Sequence, residues 1–264
     1  MIFISQAASA AFERTNQGGR SVAMGGASVS LPHEVWASFS NAGSLPTINQ
    51  RVLSLSYSPQ RFGLPELARG SFSFVEPTSF GTFALSGQRF GFELYREVTA
   101  GLSYGRSIVD GFFAGLVINY YSLAIQNYGS AGTIGVDVGI LTELSSQVWW
   151  GATAFNLNSP TIGRSRESLP QVYSTGVAYQ PIPEAVLSLA LVKDIRYASE
   201  FQIGIEYSII PGVALRGGMS SEPSILNAGI GVRYAFVQLD YAFSESSDLG
   251  LEHQISISLM LGDL

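Results

Sequence analysis

The sequence predicts an all-β fold, a 14-stranded antiparallel transmembrane β-barrel preceded by a segment that is not part of its wall. Three observations carry this. Only 13% of the 264 residues are charged and 46% are hydrophobic, whereas a soluble globular domain carries about 25% charge. The apolar runs are far shorter than the ~18 residues a membrane helix needs. The apolar residues are instead dispersed by alternation, the pattern of strands with one face in lipid and the other on a polar lumen.

In chain order, residues 1–10 close on Ala8-Ser9-Ala10, a small-residue cleavage pattern read here as the remnant of a signal peptide. Residues 11–50 do not alternate. They contain the small-residue run Gly18 to Ala27, then an expected short helix from about His33 to Phe39, opened after Pro32 and ended near Asn41-Ala42-Gly43. A segment of this length has room to fold into a lumen. The wall occupies 51–264, with expected strands at 51–58, 68–75, 78–87, 97–108, 111–124, 132–144, 147–157, 171–181, 184–194, 199–209, 212–220, 224–234, 236–244 and 251–261. Alternate connections are tight: Glu76-Pro77, Val109-Asp110-Gly111, Ser145-Ser146, Ile182-Pro183, Ile210-Pro211-Gly212 and the junction at Ala235. Short turns on one side and longer loops on the other are the asymmetry of outer-membrane barrels, whose termini share the periplasmic, short-turn side.

Alternation assigns faces. Phe201, Ile203, Ile205, Tyr207 and Ile209 share one parity, and Glu200, Gln202, Gly204, Glu206 and Ser208 the other. The same parity places Asp137, Arg216, Arg233, Gln238, Asp240 and Gln254 inward; a charge facing lipid at the bilayer midplane costs about 2–4 kcal/mol. Tyr57, Tyr104, Tyr120, Trp149, Trp150, Tyr179, Tyr207, Tyr234 and Tyr241 are expected in interfacial girdles. Glu206, Arg216, Arg233 and Asp240 fall on successive strands with mixed sign, which predicts an ion-pair network in the lumen.

Composition also excludes chemistry. There is no Cys, and Lys193 is the only lysine at a net charge of −6, so no thiol chemistry and no nucleic-acid surface is expected. The two histidines, His33 and His253, have no metal-ligand spacing, and neither a metal nor a cofactor is expected. Gly101-Leu102-Ser103-Tyr104-Gly105 matches the hydrolase nucleophile elbow. That motif needs a strand, a sharp turn and a helix, but here another strand follows, and Ser103 and His253 have opposite parity; no enzyme is expected.

The run Arg20-Ser21-Val22-Ala23-Met24-Gly25-Gly26-Ala27, followed by Trp36 to Leu45, resembles the N-terminal signature of the FadL superfamily and its PorV/PorQ branch. Further matching stretches are Ala100 to Arg106, Gly115 to Tyr120, Asp137 to Gly139, Gly151 to Asn156 and Leu251 to Ser256. Two positions depart from the pattern: no proline stands between Asn41 and Ala42, and His33-Glu34 replaces the usual aspartate. The resemblance implies a bacterial outer-membrane barrel plugged in its lumen by the N-terminal segment, with Arg20, Met24, Gly25, Gly26, His33 and Asn41 at the plug or gate. Of the two activities it implies, the first is the leading reading and the second its alternative. A PorV/PorQ-like barrel acts in type IX protein secretion or surface assembly, with translocon subunits or secreted proteins as partners. A FadL-like channel passes small hydrophobic molecules. Outer-membrane lipid surrounds either.

Overall fold

The structure, a computed structural model, describes residues 11–61, 63–246 and 250–262; the expected signal remnant, 1–10, lies outside the described residues. The wall strands are β1 (Arg51–Ser58), β2 (Arg69–Thr78), β3 (Gly81–Gly91), β4 (Tyr95–Val109), β5 (Phe112–Ile125), β6 (Gly129–Ser145) and β7 (Val148–Phe155). After a loop holding the two-residue strands β8 (Thr161–Ile162) and β9 (Glu167–Ser168), the wall continues. Its second half is β10 (Val172–Ile182), β11 (Ala185–Asp194), β12 (Ser199–Ile210), β13 (Val213–Ser221), β14 (Ser224–Tyr234), β15 (Val237–Ser246) and β16 (Gly250–Leu261). These 14 strands pair as a closed barrel, sealed where β1 meets β16 from Arg51↔Leu261 to Tyr57↔Ile255. Closure leaves no edge strand.

The connections segregate. Six alternate links, such as Asp110-Gly111 and Pro211-Gly212, are two residues long and lie on the side where β1 starts and β16 ends. Gly111 and Gly212 take φ of 71° and 85° there, a conformation glycine reaches without a Cβ penalty. The first turn is displaced from its expected place. Glu76 and Pro77 are still ladder residues, opposite Phe83 and Thr82, and Ser79-Phe80 make the turn. Proline fits there because it stands one residue from the strand end, where a missing donor disturbs little of the ladder. On the other side 59–68 and 156–171 are long, yet the β13–β14 link is only Glu222-Pro223.

Faces follow the alternation. On β12, Phe201, Ile203, Ile205, Tyr207 and Ile209 are exposed outward and Gln202 is buried inward. Two expectations need correcting. Charges are not confined to the inner parity: Arg51, Glu76, Arg89, Arg96, Arg106 and Lys193 face outward, each towards a strand end. Trp149 is not in an outer girdle. It packs inward against Met24, Leu31 and Ala178, because β7 pairs it with the buried Ala178 and sets Trp150 opposite the outward Val177.

Parts of residues 11–50 pack on inward-facing residues of the wall. Helix α1 (Gly19–Ala23) touches β13 to β16, and a 3-10 turn, Ala42–Thr47, touches β3 to β6. Ala42, Leu45 and Ile48 form a buried cluster with the inward Val52, Val75, Val117 and Met260; burying a side chain such as Leu45 contributes about 1.5–3 kcal/mol. The expected helix from His33 to Phe39 shrinks to α2 (Ala37–Ser40). His33 has φ 56°, its N–H donates to Thr47 Oγ1 at 2.7 Å, and Glu34 Oε1 accepts the Trp36 N–H at 3.2 Å. These contacts take the groups that a longer helix would have used.

Candidate functional site

The functional candidate is the junction between the lumenal segment and the inner wall. Its floor is glycine. A Cβ on Gly204 would lie 2.6 Å from Met24 O, on Gly218 2.3 Å from Gly25 N, on Gly151 2.2 Å from Val29 O and on Gly115 2.2 Å from Ala42 O. The approach is reciprocal at Gly25, whose own Cβ would lie 2.6 Å from Met219 N. Backbone therefore packs directly on backbone around much of the lumen, which only residues without a side chain permit. On β11, where no glycine meets the segment, Ser188 donates to Ala27 O at 2.5 Å.

Beside this floor is an ionic cluster. Arg20 on α1 reaches Glu206 on β12 through two parallel bonds, Nε to Oε2 at 2.9 Å and Nη2 to Oε1 at 2.8 Å, the geometry that a planar guanidinium shares with a carboxylate. Arg20 Nη1 also approaches Glu34 Oε2 at 3.3 Å. Arg216 joins the same Glu206 at 2.5 Å and Asp240 at 2.6 Å. Gln238 donates to Asp240 Oδ2 at 2.8 Å and accepts from Arg233 Nη2 at 3.0 Å. Three arginines thus face three carboxylates. Burial pushes the Glu34 carboxyl above its ordinary range, against the pull of Arg20.

The structure brings together Arg20, Glu206, Arg216 and Asp240, with Arg233 attached through Gln238. It keeps Asp137 apart: that carboxylate accepts from Asn119 Nδ2 at 2.6 Å and from the Asn156 N–H at 2.7 Å. Met24 is buried against Leu31 and Ala178, Gly26 takes φ 83°, and His33 Nδ1 meets Thr47 O at 2.5 Å. Asn41 donates to Val29 O at 2.6 Å and to Ile140 O at 2.8 Å, tying the segment to β6. Sequence reasoning missed Glu34 as a partner of Arg20 and missed α1. It also missed the glycine floor, which marking every glycine of inward parity would have revealed. The serine motif at 101–105 lies wholly within β4, and Ser103 is buried towards the lumen while His253 faces outward.

Two cavities flank the junction. One of about 780 Å³ opens among the longer loops and is lined by Arg14, Val22, Gly25, Gly26, Arg69 and Glu252. The other, about 340 Å³, lies at the short-turn end and is lined by Arg20, Leu31, His33, Glu34 and Trp149. Val22 lines the first cavity and Arg20 the second, so α1 stands between them.

No family profile and no curated protein matches this sequence. Solved structures match across nearly its whole length. The Ralstonia pickettii toluene transporter TbuX aligns at a TM-score of 0.73 and 14% identity, over 95% of this chain and 100% of that one. The P. putida toluene transporter TodX aligns at 0.76 and 13%, over 96% and 100%. A Pseudomonas aeruginosa FadL homologue aligns at 0.63 and 14%, over 92% and 97%. What these proteins share with this chain is the fold.

Proposed function

We propose that this chain is a bacterial outer-membrane channel of FadL type, which admits small hydrophobic molecules past a plug formed by residues 11–50. The observation that carries the reading is a pair of lumenal cavities meeting at α1, found in a barrel whose fold matches toluene transporters. The apolar outward stripes, the segregated turns and the loop-side cavity support the transmembrane placement. All neighbouring strands are paired and the junction is sealed by ion pairs, so transport requires the plug to shift. The Arg20–Glu206 pair holds α1 to the wall together with the Gly19 N–H, which donates to Ser256 Oγ at 3.0 Å, and Arg20, Met24, Gly25, Gly26, His33 and Asn41 line or anchor the moving part.

The test is uptake by proteoliposomes of toluene and of a small sugar. Selective, protein-dependent entry of toluene is the expected outcome, and equal entry of both or of neither would sink the reading. The closed polar lumen is also what a partner-binding barrel would show, and it is the one feature favouring a secretion-linked, PorV/PorQ-like role. Co-purification of translocon subunits or secreted proteins from native membranes would favour that role instead.

A further inference from the structure

On β4 the outward-facing residues read Arg96, Val98, Ala100, Leu102, Tyr104, Arg106, two cations bracketing four apolar or aromatic positions. Ten residues of strand, tilted about 40°, rise about 25 Å along the membrane normal, which is the height of the apolar band of such barrels. Arg96 therefore stands at the loop-side boundary of that band and Arg106 at the turn-side boundary. Arg89 on β3 is outward and exposed at the same upper level. The β3–β4 register pairs Arg89 with Val98 and Gly91 with Arg96, making the two arginines diagonal neighbours, about 7–8 Å apart at this spacing.

The surface around the pair is low. Arg89 has Gly70 beside it on β2, and Arg96 has Ala124 beside it on β5. Only the Tyr57 ring, at 3.9 Å, comes near the missing Cβ of Gly70, and Tyr57 is 55% exposed. Neither arginine has an ion-pair partner among the described residues, in contrast to Arg51, which pairs with Glu76 on the opposite rim. Two unpaired guanidinium groups at headgroup height, with small neighbours in Gly70 and Ala124 and Tyr57 on one side, are complementary to clustered phosphates.

We infer that Arg89 and Arg96 form a docking site for the phosphorylated glycolipid headgroup of the outer leaflet, lipid A, with Tyr57 at its edge. The inference rests on the outer-membrane placement proposed above. The full-length protein in detergent is probed by native mass spectrometry with diphosphoryl lipid A, with its dephosphorylated form and with phosphatidylglycerol. The expected result is preferential, salt-sensitive retention of diphosphoryl lipid A, weakened at least about tenfold in Arg89→Gln/Arg96→Gln and unchanged in Arg106→Gln. Equal retention by the double variant, equal loss in Arg106→Gln, or equal binding of phosphatidylglycerol would overturn the site. Insertion into vesicles separates the two readings. A chain that inserts as a heat-resistant barrel without phosphate preference counts against the site alone, and a chain that does not insert counts against the membrane placement as well.

Discussion

Glu206 is the carboxylate on which Arg20 and Arg216 converge, with a side chain only 12% exposed. Removing one partner of a buried ion pair costs about 3–5 kcal/mol when the remaining charge is left uncompensated, but without Glu206 each arginine keeps one carboxylate, Arg20 facing Glu34 and Arg216 facing Asp240. Glu206→Ala is therefore expected to destabilise the protein by less than that in urea titrations, and to raise ion leakage through proteoliposomes; leakage at the wild-type level would remove Glu206 from the proposed gate. Glu34 makes a second prediction with a definite sign. An acid whose folded value is raised binds more protons folded than unfolded, so its contribution is greatest below its ordinary value of about 4.3 and is lost as pH rises through the raised value. Seating of the plug should weaken as pH increases above about 4.3, and Glu34→Gln should flatten that dependence. Protease sensitivity of residues 11–50 against pH is the measurement.

At the scale of elements, adjacent glycines on β13 make a paired test. Gly218 faces the lumen, with 2.3 Å between its Cβ position and Gly25 N, while Gly217 faces out with nothing nearer than 3.7 Å. Gly218→Ala must displace α1, whereas Gly217→Ala adds a methyl to open surface. Trypsin cleavage after Arg20 is expected to rise several-fold only in the first variant, and equal cleavage in both would mean that α1 does not rest on this strand. The contrast depends on the period-2 geometry of the strand, in which one residue of shift exchanges the two faces.

For the whole molecule, the wall closes through its own backbone ladder, which needs no residue of 11–50, and the proposed plug adds to a ladder already complete. Deleting residues 11–48 should therefore leave a barrel that still inserts into membranes but conducts ions continuously. Unchanged flux in the deletion variant would show that the segment does not limit permeation.

The strand number, the short-turn side and the inward parity of Asp137, Glu206, Arg216 and Asp240 were legible in the sequence, because a strand has a strict period and its two faces meet different solvents. Arg20, Met24 and Gly25 were marked only by resemblance, since a segment without periodicity does not announce its contacts. Only the tertiary structure decided that Arg20 pairs with Glu206, 186 residues away, that Glu34 joins them, and that His33 to Val35 are non-helical. Trp149 and the outward arginines belong to the same class. Their positions depend on register and height in the closed wall, which are set by pairing between strands and by the fit of the lumenal backbone against glycine, and neither of these is a local property of the chain.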